Sequence, residues 1–308
     1  GGGDARWGRL GQAVGELVGA FRGTRGLEDR FGANRVFDTR LAEASIAGAS
    51  RGLALGGLVP VAEIQFLGLT QQGFHQMGAQ LGRYRFRSRG RVHWHVALRG
   101  PFGGGTSTPG FPADSIDALL TQTPGSKVFC PAFPDDAKVL LLSAIRDPDP
   151  VLFLEPERLY RSVSGSVLNG DYTVPIGTAR MVRKGTDLTL ISWTAGVHLC
   201  LDAAEQLAKR NASVAVLDLR SIVPLDVETV VNAVSATGKA VVVQEAPFTG
   251  GFAAEVVATI QEEAFMSLDA PIQRVGAHDT PYPPGSLEAH YLPSVRRVMD
   301  AAMGTLGY

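Results

Sequence analysis

Short apolar runs rich in β-branched residues alternate along this chain with stretches whose apolar residues recur at helical spacing, and that alternation restricts its fold more than any other feature. Runs with no polar face suit a parallel sheet covered by helices on both sides, so the fold class is α/β. In the first half, residues 58–66 (LVPVAEIQF), 92–98 (VHWHVAL), 127–130 (KVFC) and 151–154 (VLFL) read as strands. Residues 41–55 and 135–147 read as helices, the second with acidic residues at its start. Residues 161–184 scatter Ser, Gly, Asn, Asp and Pro with no sustained period, the pattern of a connection between domains. A second α/β unit follows, with strands over 187–193, 213–219, 239–244 and 271–275 and helices near 197–209, 226–236 and 252–263. The expected division is residues 1–165, a connection over 166–184, and residues 185–308.

A chain of 308 residues that is 45% hydrophobic has enough apolar mass for two such cores. With 29 basic against 30 acidic side chains and no long run of one sign, it carries no electrostatic footprint for nucleic acid or an anionic membrane. Cys130 and Cys200 stand far apart and in no CxxC spacing, which suggests neither a disulfide framework nor a zinc site and fits a reducing cytoplasm. No apolar run approaches the roughly 20 residues needed to cross a bilayer, and the opening GGGDARWGR lacks a signal peptide's apolar segment, so a soluble intracellular protein is expected.

Doubly wound sheets host many chemistries, so function has to come from residues. The chain has no GxGxxG after a strand, no GxxxxGK[ST], no GxSxG and no HExxH, which removes the usual dinucleotide, nucleoside-triphosphate, hydrolase and metalloprotease readings. His93 and His95 alternate on an expected strand and would share a face, but no third ligand lies at a suitable spacing, so satisfied structural histidines are preferred to a metal site. Glu43, in the first turn of an expected helix, is explained by the helix dipole alone. Residues 88–91 (SRGR) read as a solvated turn. Residues 249–252 (TGGF), between a strand and a helix, fit either an anion held on backbone amides or a plain tight turn.

A resemblance adds to this reading. Residues 35–48 (RVFDTRLAEASIAG), 60–66 (PVAEIQF), 144–161 (AIRDPDPVLFLEPERLYR), 216–226 (VLDLRSIVPLD), 245–256 (EAPFTGGFAAEV) and 278–283 (HDTPYP) are in order and suitably spaced. Together they resemble the β subunits of the thiamine-diphosphate-dependent decarboxylase component of pyruvate and branched-chain 2-oxoacid dehydrogenases. The resemblance implies a transketolase-like pyrimidine-binding domain followed by a transketolase carboxyl-terminal domain. It assigns Glu43 to the glutamate that hydrogen-bonds the pyrimidine ring and so tunes the cofactor's internal base, with Leu41, Gln65 and Leu69 lining the pyrimidine pocket. The family holds the diphosphate through magnesium on a GDG motif followed by NN; this chain has no such pair, so an α subunit is expected to supply it, in an assembly of two α and two β chains. Ala144, Asp147 and Asp149 fall where members often hold a structural potassium ion. Residues 1–4 (GGGD) stand at the family's GED-like turn, which implies that the element before it is missing.

Two departures bear on activity. The family stacks Tyr or Phe on the pyrimidine where this chain has Leu69, and its catalytic histidine loop corresponds to residues 110–118 (GFPADSIDA), with Pro112 at the histidine's approximate place. Three functions follow as expectations. The first is a thiamine-diphosphate enzyme passing an acyl or ketol group from a 2-oxoacid or ketose to a carrier-protein thiol. The second is a conventional dehydrogenase subunit acylating a lipoyl domain, with His75, His93, His95 or an α-subunit residue replacing the lost histidine. The third is a non-catalytic assembly subunit that stabilises an α partner.

Overall fold

A computed structural model describes residues 4–15, 19, 21–107, 110 and 113–308. The first half runs β1 (Trp7–Gln12), α1 (Leu27–Phe31), β2 (Val36–Thr39), α2 (Glu43–Leu55), β3 (Val59–Glu63), a 3-10 turn (Leu67–Gly73), a π-helix (His75–Gly82), α3 (Arg83–Arg87) and β4 (Ala97–Phe102). It continues with α4 (Asp117–Thr121), β5 (Lys127–Phe129), α5 (Pro134–Arg146), β6 (Val151–Pro156) and α6 (Leu159–Ser162). The second half has β7 (Arg180–Arg183), β8 (Leu188–Ser192), α7 (Gly196–Ala208), β9 (Val214–Asp218), β10 (Ser221–Val223), α8 (Val227–Thr237), β11 (Ala240–Pro247), α9 (Ala253–Ala264), β12 (Gln273–Ala277), α10 (Glu288–Tyr291) and α11 (Val295–Leu306).

Two sheets result, ordered β10-β5-β6-β4-β3-β1-β2 and β12-β11-β8-β9-β7. Pairing is parallel throughout, except that β10 lies antiparallel to β5 and β7 antiparallel to β9. Strands β3, β4, β6, β8 and β9 are buried along their whole length, as the unbroken apolar runs require.

Four expectations change. The strand expected over 92–98 begins at Ala97 and runs to Phe102, leaving His93 and His95 on an irregular approach. Trp94 and Val96 are buried there, so the alternation that looked like a strand comes from side chains anchoring the segment that enters the sheet. Strand β7 falls inside the expected connection 166–184, so the second sheet begins by Arg180. A strand stands where none was expected: β1 lies between β2 and β3, and the chain turns after it at residues 13–15, where Ala13 has φ 57°. Its sequence WGRLGQ hid it, because Leu10 is the one apolar residue of the strand that is fully buried and the rest is held by backbone pairing on both sides. Finally, β10 comes from the second half yet extends the first sheet.

Candidate active site

Strands β2 and β3 flank β1 and run parallel to it, so their carboxyl ends open on one edge of the first sheet. In open α/β sheets that edge is where ligands bind. The chain leaving β2 passes Leu41, 58% exposed, and enters α2 at Glu43. Glu43 is only 6% exposed, at the positive end of a 13-residue helix. The 3-10 turn packs on it: a β-carbon on Gly73 would lie 3.1 Å from the Glu43 carbonyl carbon. Among the described residues the Glu43 side chain makes no hydrogen bond or ion pair, and neither of its oxygens is sealed from solvent. A carboxylate in such a recess is left open to a donor from outside the chain, since burying it without one is costly. The segment leaving β3 carries Gln65 and Leu69, both half-buried, with the Leu69 N–H bonded to the Phe66 carbonyl at 3.0 Å. Leu41, Glu43, Gln65 and Leu69 thus come to one edge from the ends of the two strands that flank β1.

The positions assigned to potassium look different. Ala144 is buried inside α5, and Asp147 caps that helix with both carboxylate oxygens 2.6 Å from Lys127 Nζ. Asp149 is gripped by Arg85 at 2.7 and 2.8 Å, with Lys127 Nζ 3.6 Å away. The two acidic side chains are already neutralised by an ammonium and a guanidinium, so they do not fit as ligands of a further cation. Among the described residues no group of three or more His, Cys, Asp or Glu is placed to hold a metal ion. Pro112 lies outside the described residues. His75, at the start of the π-helix, shares a hydrogen bond of 3.2 Å with Gln80.

Residues 249–252 turn the chain from β11 into α9. Asp279 accepts from both the Thr249 N–H, at 2.8 Å, and its hydroxyl, at 2.7 Å. Gln244 lies beneath Gly251 and accepts the Ala253 N–H at 2.7 Å. The chain's own acceptors therefore take up the Thr249 and Ala253 amides on either side of the two glycines.

Sequence reasoning missed a buried ionic network on the same sheet. Arg99 of β4 donates to Glu155 of β6 and to Glu63 of β3, Arg9 of β1 donates to Glu63 at 2.7 Å, and the Tyr160 hydroxyl donates to Glu155. Burial alone would raise the pKa of Glu155, but the Arg99 guanidinium outweighs it and holds the carboxyl below its usual range. A charged residue inside each of the apolar runs VAEIQF, ALRGPF and LFLEP was the available signal.

Comparison with known proteins agrees with this geometry. Residues 7–163 match the transketolase pyrimidine-binding domain, and residues 177–298 match the transketolase C-terminal domain. The protein named pyruvate dehydrogenase E1 component subunit beta from Bacillus subtilis (strain 168) is 47% identical over 299 residues, covering 97% of this chain and 92% of that protein. The protein of the same name from Staphylococcus aureus (strain COL) gives the same identity and coverage. Among solved structures, a chain described as a split gene transketolase, inactive beta4 tetramer, superposes with a TM-score of 0.79 at 22% identity, covering 98% of this chain and 92% of that one. That likeness speaks for the fold alone. No helix among the described residues is long and apolar enough to cross a membrane.

Proposed function

This chain belongs to the family of pyruvate dehydrogenase E1 component β subunits, and from that membership we propose that it is the β half of a thiamine-diphosphate-dependent enzyme acting on a 2-oxoacid. The observation that carries the proposal is Glu43, a recessed carboxylate with no partner among the described residues, at the carboxyl edge of the sheet. When bound, the cofactor supplies an electron sink for decarboxylation. Glu43 would hold a proton on the pyrimidine ring nitrogen, Gln65 would border the ring, and Leu69 and Leu41 would contact it through aliphatic carbon rather than an aromatic face.

The sequence has no GDG motif followed by NN, so we place the diphosphate and magnesium ligands on an α subunit that shares the cleft. A potassium ion near Ala144, Asp147 and Asp149 would have to be held by backbone carbonyls, because the aspartates are engaged by Lys127 and Arg85. We place the chain in an assembly of two α and two β subunits, with a lipoyl domain or a carrier-protein thiol as acceptor. Cys130 and Cys200 are free, buried thiols, in keeping with a cytoplasmic site.

One sequence observation favours a second reading. Residues 110–118 contain no histidine, so the chain would instead be a non-catalytic subunit that stabilises its α partner. The two readings separate on the complex assembled with the α subunit, magnesium and thiamine diphosphate and supplied with pyruvate. On the enzymatic reading Glu43→Ala lowers turnover by about 100-fold or more while the complex still assembles. Unchanged turnover would leave the assembly role standing and remove the catalytic one.

A further inference from the structure

Directly after β4 stand three consecutive glycines, Gly103, Gly104 and Gly105, and the space beside each α-carbon is taken by another side chain. A β-carbon on Gly103 would strike the carboxylate of Glu245, one on Gly104 would strike the Tyr282 hydroxyl, and one on Gly105 would lie 2.8 Å from Cδ of Arg158. Gly103 and Gly105 also have φ of 80° and 93°, which favour glycine independently.

The same side chains hold the backbone that the glycines expose. Glu245 Oε1 accepts the Gly104 N–H at 2.7 Å and the Ser115 hydroxyl at 3.0 Å. Glu288 takes the Gly105 N–H on one oxygen at 3.0 Å and the Ser107 N–H on the other at 3.1 Å, and the Tyr282 hydroxyl also donates to it. Glu245 lies on β11 and Glu288 opens α10, so both belong to the second half, whereas the segment that they grip leaves the first sheet. Both carboxylates are buried, and hydrogen bonds from backbone amides are what make their burial tolerable. Loop and acids therefore hold each other in place.

The gripped segment leaves the sheet at the edge that carries the pyrimidine-pocket residues. A β-carbon on Gly100 of β4 would strike the Ile64 carbonyl oxygen and lie 3.2 Å from the Leu67 side chain, so β4 passes close to the segment that carries Gln65 and Leu69. We infer that Glu245, Glu288 and Tyr282 are positioning residues that fix residues 103–107 at the cofactor edge, so that the second half of the chain sets the shape of a site whose side chains come from the first. This rests on the enzymatic reading of Glu43.

The test uses the complete complex with its α subunit, magnesium, thiamine diphosphate and pyruvate. Glutamine keeps the size of glutamate; at Glu288, where both oxygens accept, it turns one acceptor toward an N–H as a donor, and at Glu245 it removes the charge that strengthens the bonds to Oε1, so Glu245→Gln and Glu288→Gln loosen the segment without emptying the space. Each is expected to lower kcat by about 10- to 100-fold, the effect of misplacing a reacting group by about 1 Å, with cofactor saturation and assembled complex unchanged. Glu288→Asp, which retains two acceptor oxygens, is expected to recover part of that loss. The inference is overturned if the Glu245→Gln, Glu288→Gln double variant turns over like the parent, or if any loss is matched by loss of assembled complex on gel filtration. Glu43→Ala run alongside separates the two ideas: active glutamine variants beside an inactive Glu43→Ala reject only the positioning role, whereas an active Glu43→Ala rejects the enzymatic reading on which it stands.

Discussion

Asp218 ends β9 fully buried, with Oδ1 accepting the Arg220 N–H at 3.0 Å and Oδ2 sealed without a partner. Burial pushes its pKa up to about 8, with the charge of Asp136 adding to the rise and the Arg220 N–H and guanidinium opposing it. Asp117, raised by burial to about 6 against the Trp193 N–H that it accepts, shifts the same way. For a carboxyl whose folded pKa lies above the ordinary 3.8, the folded chain keeps a proton that the unfolded chain has released. Stability on this account falls as pH rises from 3.8 to about 8, and the whole penalty is present above that window. Asp218→Asn keeps an acceptor for the Arg220 N–H and cannot ionise, so it is expected to flatten the decline. Urea midpoints at about pH 5 and about pH 9 check this, and an equal decline in parent and variant would refute it. In the sequence Asp218 sat unnoticed within VLDLRS, because nothing in a linear pattern separates a sealed aspartate from one at a wet strand end. Glu43 was likewise explained by the helix dipole until resemblance supplied a role.

At the scale of elements, glycine marks the close approach of β4 to the segment leaving β3. A β-carbon on Gly100 would meet the Ile64 carbonyl, which is backbone and cannot step aside, so Gly100→Ala is expected to destabilise the chain by about 1–3 kcal/mol through overpacking. A denaturant midpoint within error of the parent would show that the strands can part there. The helices α2 and α5 begin and end within a few residues of where the apolar period places them, as do strands β3, β5 and β6, because each buries side chains through its length. Legibility fails where backbone pairing or tertiary contact does the holding. Strand β1 carries two glycines and owes its place to β2 and β3, and β7 and β10 are short antiparallel additions at sheet edges. The 3-10 turn and π-helix between Leu67 and Gly82 depart from the regular period altogether, so no 3.6-residue pattern could have announced them. The amide cradle of Glu245 and Glu288 was out of reach for a related reason: its members lie 141 to 183 residues from the amides that they accept.

Across the whole molecule, the two halves are tied by side chains as well as by β10. Asp136, in the first turn of α5, is 3% exposed and accepts from Arg220 at 2.7 Å and from Arg180 at 2.9 Å, both guanidinium groups coming from the second half. Trp193, at the end of β8, donates its indole N–H to Asp117 of α4 at 2.8 Å. The bond to Arg220 matters more than the bond to Arg180, because the Arg180 side chain is 41% exposed and water can replace its partner. Arg220 is nearly sealed, and its Nε already lacks an acceptor. Asp136→Ala leaves that guanidinium buried and uncompensated, so a loss of about 3–5 kcal/mol is expected. Removing the charge from both sides, as in an Asp136→Ala, Arg220→Met pair, is expected to return much of it, since an apolar pair of similar volume escapes the desolvation penalty. Chemical denaturation of the parent, the single variant and the pair measures the coupling directly. If the single variant costs no more than a surface ion pair, the halves are held by β10 and the Trp193 contact, and the buried charges contribute little to their docking.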